Sequence, residues 1–275
     1  MSKKPPYIVE VEKNDWVFYT DTPYSEDREN KLDAALSFYE RGQCDKSIEI
    51  CQALLAEYPF DIDVLHQISF CYDQLGQERN ALLYEIAAVG IGLDALPDNF
   101  NWSKAKLNWY SHTNRPFMRA YHGLGLIHQR LGNLDAAETI FSRLFNVHPE
   151  DALGSRYNLV EIWLQMGKLD EALNLHSKNP DDSSPNMRFP VSLAFIKAGQ
   201  IDKGKQLLKK AASSSPLVAE NLTKKIVPTP ENPNPYYMTL GSPEEAYEHW
   251  ETYGKLWQET PGAIDILNEI IRAKK

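Results

Sequence analysis

The chain is expected to fold as an all-α stack of helical hairpins, and three regularities point there. Five glycines, Gly42, Gly76, Gly132, Gly167 and Gly199, recur at intervals of 34, 56, 35 and 32 residues. Four places before each stands a bulky ring: Phe38, Tyr72, His128, Trp163 and Phe195. Five places after each stands a small residue: Ser47, Ala81, Ala137, Ala172 and Gly204. Apolar residues precede the glycines by eight places (Ala34, Ile68, Leu124, Leu159, Val191), and prolines follow three of them by seventeen (Pro59, Pro149, Pro216). Repetition near a fixed period marks a solenoid, in which each unit covers the apolar flank of the next. Such an array builds a surface, not a catalytic cleft.

Residues 1–27 precede the first copy. Within them Tyr7 to Tyr19 reads as two extended runs around Lys13-Asn14-Asp15, a hairpin pattern. The expected place for it is against the first helix pair; the alternative is the chain's own groove. Copies at 28–61 and 62–94 follow. Residues 95–117 form an aromatic-rich insertion, where Trp102, Ala105 and Trp109 are spaced for one face of a short helix.

Three more copies run over 118–151, 153–184 and 185–217. In the first of these, Tyr121, Leu124, Gly125 and His128 line one helix, and Ala136, Ala137, Ile140, Phe141 and Leu144 line a second. Gly132 serves the turn between them, and Pro149 ends the second helix because it lacks an amide donor. The fourth copy lacks that proline, and the fifth has Gly204 at the small site.

Residues 218–241 carry Pro228, Pro230, Pro233 and Pro235 and read as an extended crossing. Ser242-Pro243-Glu244-Glu245 then starts a helix, with Ser242 as cap and Glu245 completing a capping box. Thr260-Pro261-Gly262 opens a last helix through Ile264, Leu267 and Ile271, so 242–275 reads as a helical cap over the final apolar face.

The five copies resemble tetratricopeptide repeats, whose period is about 34 residues. A second resemblance is more specific. Asn114-Arg-Pro-Phe-Met-Arg-Ala-Tyr-His-Gly-Leu124 is similar to the Asn-Arg-Pro-Phe-Leu-Arg-Ala-x-His-Gly-Leu signature of a group of bacterial tetratricopeptide proteins. Pro149 to Tyr157 resembles their Asn-Pro-x-Asp-Asn-x-Gly-x-Arg-Tyr, with His148 and Ala152 departing from it. The stretch from Ser215 through Gly241-Ser-Pro-Glu-Glu-Ala246 to Trp257 and Gly262-Ala263 resembles the end of the suppressor of tumorigenicity seven family. These resemblances imply a helical-repeat interaction protein and bring no catalytic role.

Composition narrows the partners. A formal charge of −9 argues against a general binder of phosphate backbones. No stretch reaches the roughly 18 apolar residues of a membrane span, and no signal peptide is evident. Three cysteines, Cys44, Cys51 and Cys71, suit a reduced, cytoplasmic protein rather than a disulfide framework. They lack zinc spacing, and His122 and His128 fall on different helix faces. Phosphate loops and nucleophile elbows are absent, so neither enzyme, metal nor cofactor is expected.

The expected function is a scaffold or adaptor that holds a peptide or partner helix in a concave groove lined by the first helix of each pair. That places His66, Gln67, Phe70, Asp63 and Asp73 from the second copy at the groove. The third supplies Arg115, Arg119, His122, Leu126 and Gln129, and the fourth Tyr157, Asn158, Glu161 and Gln165. Chaperone-binding relatives clamp a terminal carboxylate with basic residues and asparagines. The corresponding Leu32, Leu36, Gln67, Arg119 and Gly123 keep one basic residue, against such a clamp. Arg115, Arg119 and Arg156 admit two readings: a site for a carboxylate or small anion, which would make the chain a sensor, or ties between the insertion and its helices through Glu161 or Asp151. A non-catalytic subunit of an enzyme complex is the further alternative.

Overall fold

The computed structural model describes residues 4–20, 25–231 and 239–273. Among these, thirteen α-helices, one short 3-10 helix (His112–Asn114) and one two-stranded hairpin account for the regular structure. Two compact units divide the chain, residues 1–155 and 156–275.

The first unit begins with β1 (Tyr7–Glu12) and β2 (Asp15–Tyr19), antiparallel, turning through Asn14 at φ 61°. Three helix pairs follow: α1 (Glu26–Glu40) with α2 (Cys44–Glu57), α3 (Ile62–Gln74) with α4 (Glu78–Asp94), and α5 (Arg115–Arg130) with α6 (Leu134–Val147). The second unit holds α7 (Ser155–Met166) with α8 (Leu169–Lys178), α9 (Pro185–Lys197) with α10 (Ile201–Ser214), the short α11 (Pro216–Leu222), and α12 (Pro243–Glu259) with α13 (Ala263–Arg272). This is an all-α helical-hairpin repeat fold.

One turn is built five times. Gly42, Gly76, Gly132, Gly167 and Gly199 all lie at φ between 69° and 76°, where a side chain is strained. The amide after each glycine then donates to the carbonyl of the bulky ring residue. Gln43 bonds Phe38 at 2.9 Å, Gln77 bonds Tyr72 at 2.8 Å, Asn133 bonds His128 at 2.9 Å, Lys168 bonds Trp163 at 2.8 Å and Gln200 bonds Phe195 at 2.9 Å. These bonds satisfy carbonyls that a helix end otherwise leaves bare. The small site is where paired helices touch: Ser47, Ala81, Ala137 and Ala172 are fully buried. At Gly204 a Cβ would lie 2.9 Å from Ile196 and 3.1 Å from the Ser192 carbonyl, so glycine suits that copy as alanine suits the others.

Three expectations need correction. The insertion forms no helix over 102–109. Asn101 accepts from Ser103, and Asn108 from Tyr110, so their side chains capture the amides a helix would use. Lys106 instead bonds Asn14, and Leu107 bonds Val147. The hairpin does not settle on the first helix pair. Trp16 and Phe18 are buried in the core that α3, α4, α5 and α6 share with Leu107 and Phe117. The insertion opens space between the second and third pairs, and these rings fill it. Lastly, the extended crossing starts after α11, because Pro216 fits a helix's first turn and no proline follows until Pro228. Pro228 and Pro230 lie in irregular backbone, while Pro233 and Pro235 fall outside the described residues.

The second unit closes with α12 and α13 packed on α9, α10 and α11. Ser242 caps α12 by accepting from the Glu245 amide at 3.2 Å, and Glu245 reaches back to the Gly241 amide at 2.7 Å. That is the expected capping box, with its return bond one residue upstream of the cap. Trp257 is fully buried at the centre of this closure.

Candidate functional site

In the first unit α1, α3 and α5 lie side by side, as their side-chain bridges show. Tyr39 of α1 stacks on Phe70 of α3 with ring centres 6.1 Å apart. Arg119 of α5 donates to Asp63 of α3 at 2.6 Å, and Arg130 forks onto Asp73, one bond at 3.1 Å. These are partly exposed pairs, worth about 0–1 kcal/mol each. Their consequence is local neutrality: the Arg119 and Arg130 guanidinium groups are each already matched to a carboxylate.

Between the two ion pairs runs an apolar row. Leu36, Phe70 and Leu126 each stand six residues before their repeat's glycine, and they are 41 %, 37 % and 39 % exposed. The same position becomes Glu161 in the fourth copy and the buried Leu193 in the fifth. At this register the first helices of three successive pairs each leave part of a large apolar side chain open to water, surface that folding of the monomer does not cover.

The other residues expected at a groove divide into three kinds. His66 and Gln67 are only 6 % and 7 % exposed and belong to the packing, not to the surface. His66 Nδ1 meets the buried Glu85 carboxylate at 2.7 Å, and Gln67 donates to Ser47 at 3.5 Å. Gly123 seals this cluster: a Cβ there would come 2.3 Å from Glu85 Oε1 and 2.9 Å from His66. His122 packs edge-on against Phe141 at 5.1 Å, again inside the repeat.

The arginines form ties. Arg115 donates to the Trp109 carbonyl at 2.8 Å with its guanidinium over the Trp109 ring, binding the insertion to α5. Arg119 goes to Asp63 rather than joining Arg115 at a common anion site. In the second unit Arg156 donates to Asp182 at 3.0 Å, and Tyr157 donates to the same carboxylate at 3.2 Å. Asp182 also accepts from the Ser184 amide, so the cluster fixes the α8–α9 connection onto α7. Glu161 accepts from Gln165 at 3.0 Å on an exposed flank, and Asn158 lies half-buried on α7.

Sequence spacing missed one signal it contained. Asp63 and Arg119 occupy the same register, thirteen residues before their glycines, in neighbouring copies of opposite charge. Leu36 and Leu126 share a register with Phe70 in the same way, but Leu36 was legible only as a poor match to a carboxylate clamp.

A recess open to solvent, about 480 Å³, lies where the hairpin meets the first repeats. Its walls are chiefly Phe18, Tyr19, Tyr58, Phe60 and Pro116, and its Arg28 is already forked on Asp61 at 2.7 and 2.8 Å. Among the described residues that line it, the one guanidinium is thus matched to a carboxylate.

The family model described as Transcriptional repressor TCF25 matches residues 26–251. The match spans the stretch 114–124 and is consistent with the resemblance to the suppressor of tumorigenicity seven family, while the bacterial signature group is not shown. A search of the curated proteins found no match. Among solved structures, the chain resembles a Podosopora anserina kinesin light chain protein of nearly identical TPR-like repeats, at 15 % identity and TM-score 0.52. That likeness covers 70 % of this chain and 96 % of the other. It also resembles the MamA protein at 17 % identity and TM-score 0.52, over 74 % of this chain and 99 % of that one. Both likenesses show the tetratricopeptide-type fold.

Proposed function

The chain belongs to the family described as Transcriptional repressor TCF25, and on that footing we propose that it is a non-catalytic scaffold that recruits another protein. The observation that carries this is the exposed row Leu36, Phe70 and Leu126 across α1, α3 and α5. Each ladder residue offers apolar surface worth about 25 cal/mol per Å² once covered. The flanking Asp63–Arg119 and Asp73–Arg130 pairs leave no net charge for a ligand to neutralise, so recognition rests on apolar contact. This favours the scaffold over an anion sensor.

Spacing narrows the ligand. Neighbouring packed helices lie about 8–10 Å apart. An extended chain advances about 3.3 Å per residue, so apolar side chains at every third position would meet the three rungs. A partner helix, rising about 1.5 Å per residue, would need them about seven apart. We favour the extended peptide, because three rungs then fall within a short segment. The charge of −9 disfavours direct contact with nucleic-acid phosphates, so any part in transcription would run through protein contacts. A reduced, cytoplasmic or nuclear setting suits its free cysteines.

The test is affinity capture with the intact chain and with Phe70→Glu and Leu126→Glu, each checked for unchanged unfolding. The scaffold reading requires one protein set to be lost from both variants. Retention of every captured protein by both would end it.

A further inference from the structure

We propose that the free edge of β1 accepts a β-strand from another protein, one alternating apolar residues with Lys or Arg. This surface is separate from the α1, α3 and α5 row, and either can fail without the other.

The far edge of β2 is closed. The Trp16 amide donates to Lys106 at 3.0 Å, the Phe18 amide to Asn114 Oδ1 at 2.9 Å, and Asn114 Nδ2 donates to the Trp16 carbonyl at 3.1 Å. The main chain of residues 16 and 18 therefore faces away from β1. Their register partners are Glu10 and Ile8. By the alternation of antiparallel ladders, the main-chain groups of Ile8 and Glu10 face outward from the opposite edge. Among the described residues none bonds to these outward groups. Two donors and two acceptors thus stand in a row, with the spacing a strand would match.

The side chains define the strand. Tyr7, Val9 and Val11 hold the outer face of β1 at 48 %, 40 % and 47 % exposure, and Tyr19 extends it by stacking on Tyr7 at 5.8 Å. Natural edges are guarded by lysine, proline or a bulge. Here the irregularity comes only between Glu10 and Glu12, so the ladder is regular from Tyr7 to Glu10, with neither lysine nor proline among those residues. A pairing strand would cover this apolar row with its own alternate residues. Glu10 and Glu12 are exposed and acidic on a chain of net charge −9, which selects cations at the intervening positions. A second copy of β1 would bring the same carboxylates, so charge favours a different, basic strand. Trp16 and Phe18, buried in the core, hold the platform rigid, so binding costs little ordering of the hairpin.

The probe is a short acetylated and amidated peptide alternating valine and lysine, added to the full chain. Hydrogen exchange should slow at the Ile8 and Glu10 amides, while Val9, which faces β2, changes little. Glu10→Gln keeps the amide and should weaken binding about threefold through lost charge. Glu10→Pro removes the outward amide and also the bond that Glu10 Oε1 accepts from the Asn14 amide at 2.7 Å in the turn; it breaks no ladder bond to β2, and should weaken binding about tenfold beyond that. Should proline disturb the hairpin, the alternating protection in the unaltered chain decides. Equal affinity of Glu10→Pro and Glu10→Gln, or protection placed on α3 and α5, would overturn the proposal. So would protection of β1 that needs no peptide and grows with protein concentration, since a second copy would then be the occupant.

Discussion

Asn114→Ala tests how the hairpin is fixed to the helices. The Asn114 side chain is fully buried and joins three stretches of chain. It accepts from Phe18 at 2.9 Å and donates to Trp16 and Asn108, both at 3.1 Å. Alanine removes three hydrogen bonds at about 1 kcal/mol each and strands their main-chain partners away from water, for a loss of about 3 kcal/mol. In a unit of this size that lowers the unfolding midpoint by about 6–12 °C. Asn114→Asp should be worse, because it keeps the acceptor, loses both donors and buries a charge. Thermal unfolding with hydrogen exchange over residues 15–19 reads both effects. A loss below about 1 kcal/mol with unchanged exchange in β2 would refute this account of Asn114.

Three further outcomes are expected. Burial holds His249 at about 3, below its ordinary 6.5, so between these values the unfolded chain binds the extra proton. Its contribution is complete above about pH 6.5 and declines by about 1.4 kcal/mol per unit as pH falls toward 3; urea unfolding at pH 7.5 and 5 should show the slope, reduced in His249→Leu. Gly123→Ala should cost about 1–2 kcal/mol, since the clash with buried Glu85 and His66 outweighs the gain in helix propensity, and denaturant midpoints will show the sign. Burial pushes the Cys44 and Cys51 thiols up to about 11 and about 12 and raises Cys71 as well; a chromogenic disulfide reagent at pH 8 should therefore modify them only as the chain unfolds.

The hairpin repeats were legible because one local requirement repeats. A left-handed turn needs glycine, its hydrogen bond falls on the residue four places earlier, and the crossing five places later admits only a small side chain. Sequence spacing reads such rules directly. The insertion was not legible in the same way. Trp102 and Trp109 have helical spacing, but Asn101 and Asn108 divert the local amides, and the remaining bonds go to Asn14 and Val147, far along the chain. His66 and Gln67 misled for a different reason. A first helix touches its own second helix and also the neighbouring repeat, so helical period alone does not separate a residue facing Glu85 from one facing water. Arg156 showed the same limit: its carboxylate, Asp182, lies 26 residues away in a connection without periodicity.

The central claim is that another protein lies along α1, α3 and α5. Its most direct test places a photo-reactive phenylalanine at Phe70 or, as a control, at Leu83, an exposed residue of α4. The account predicts a captured protein cross-linked through position 70, absent from position 83 and displaced by a peptide with apolar residues at every third place. Cross-linking of the same protein through position 83 alone would contradict it.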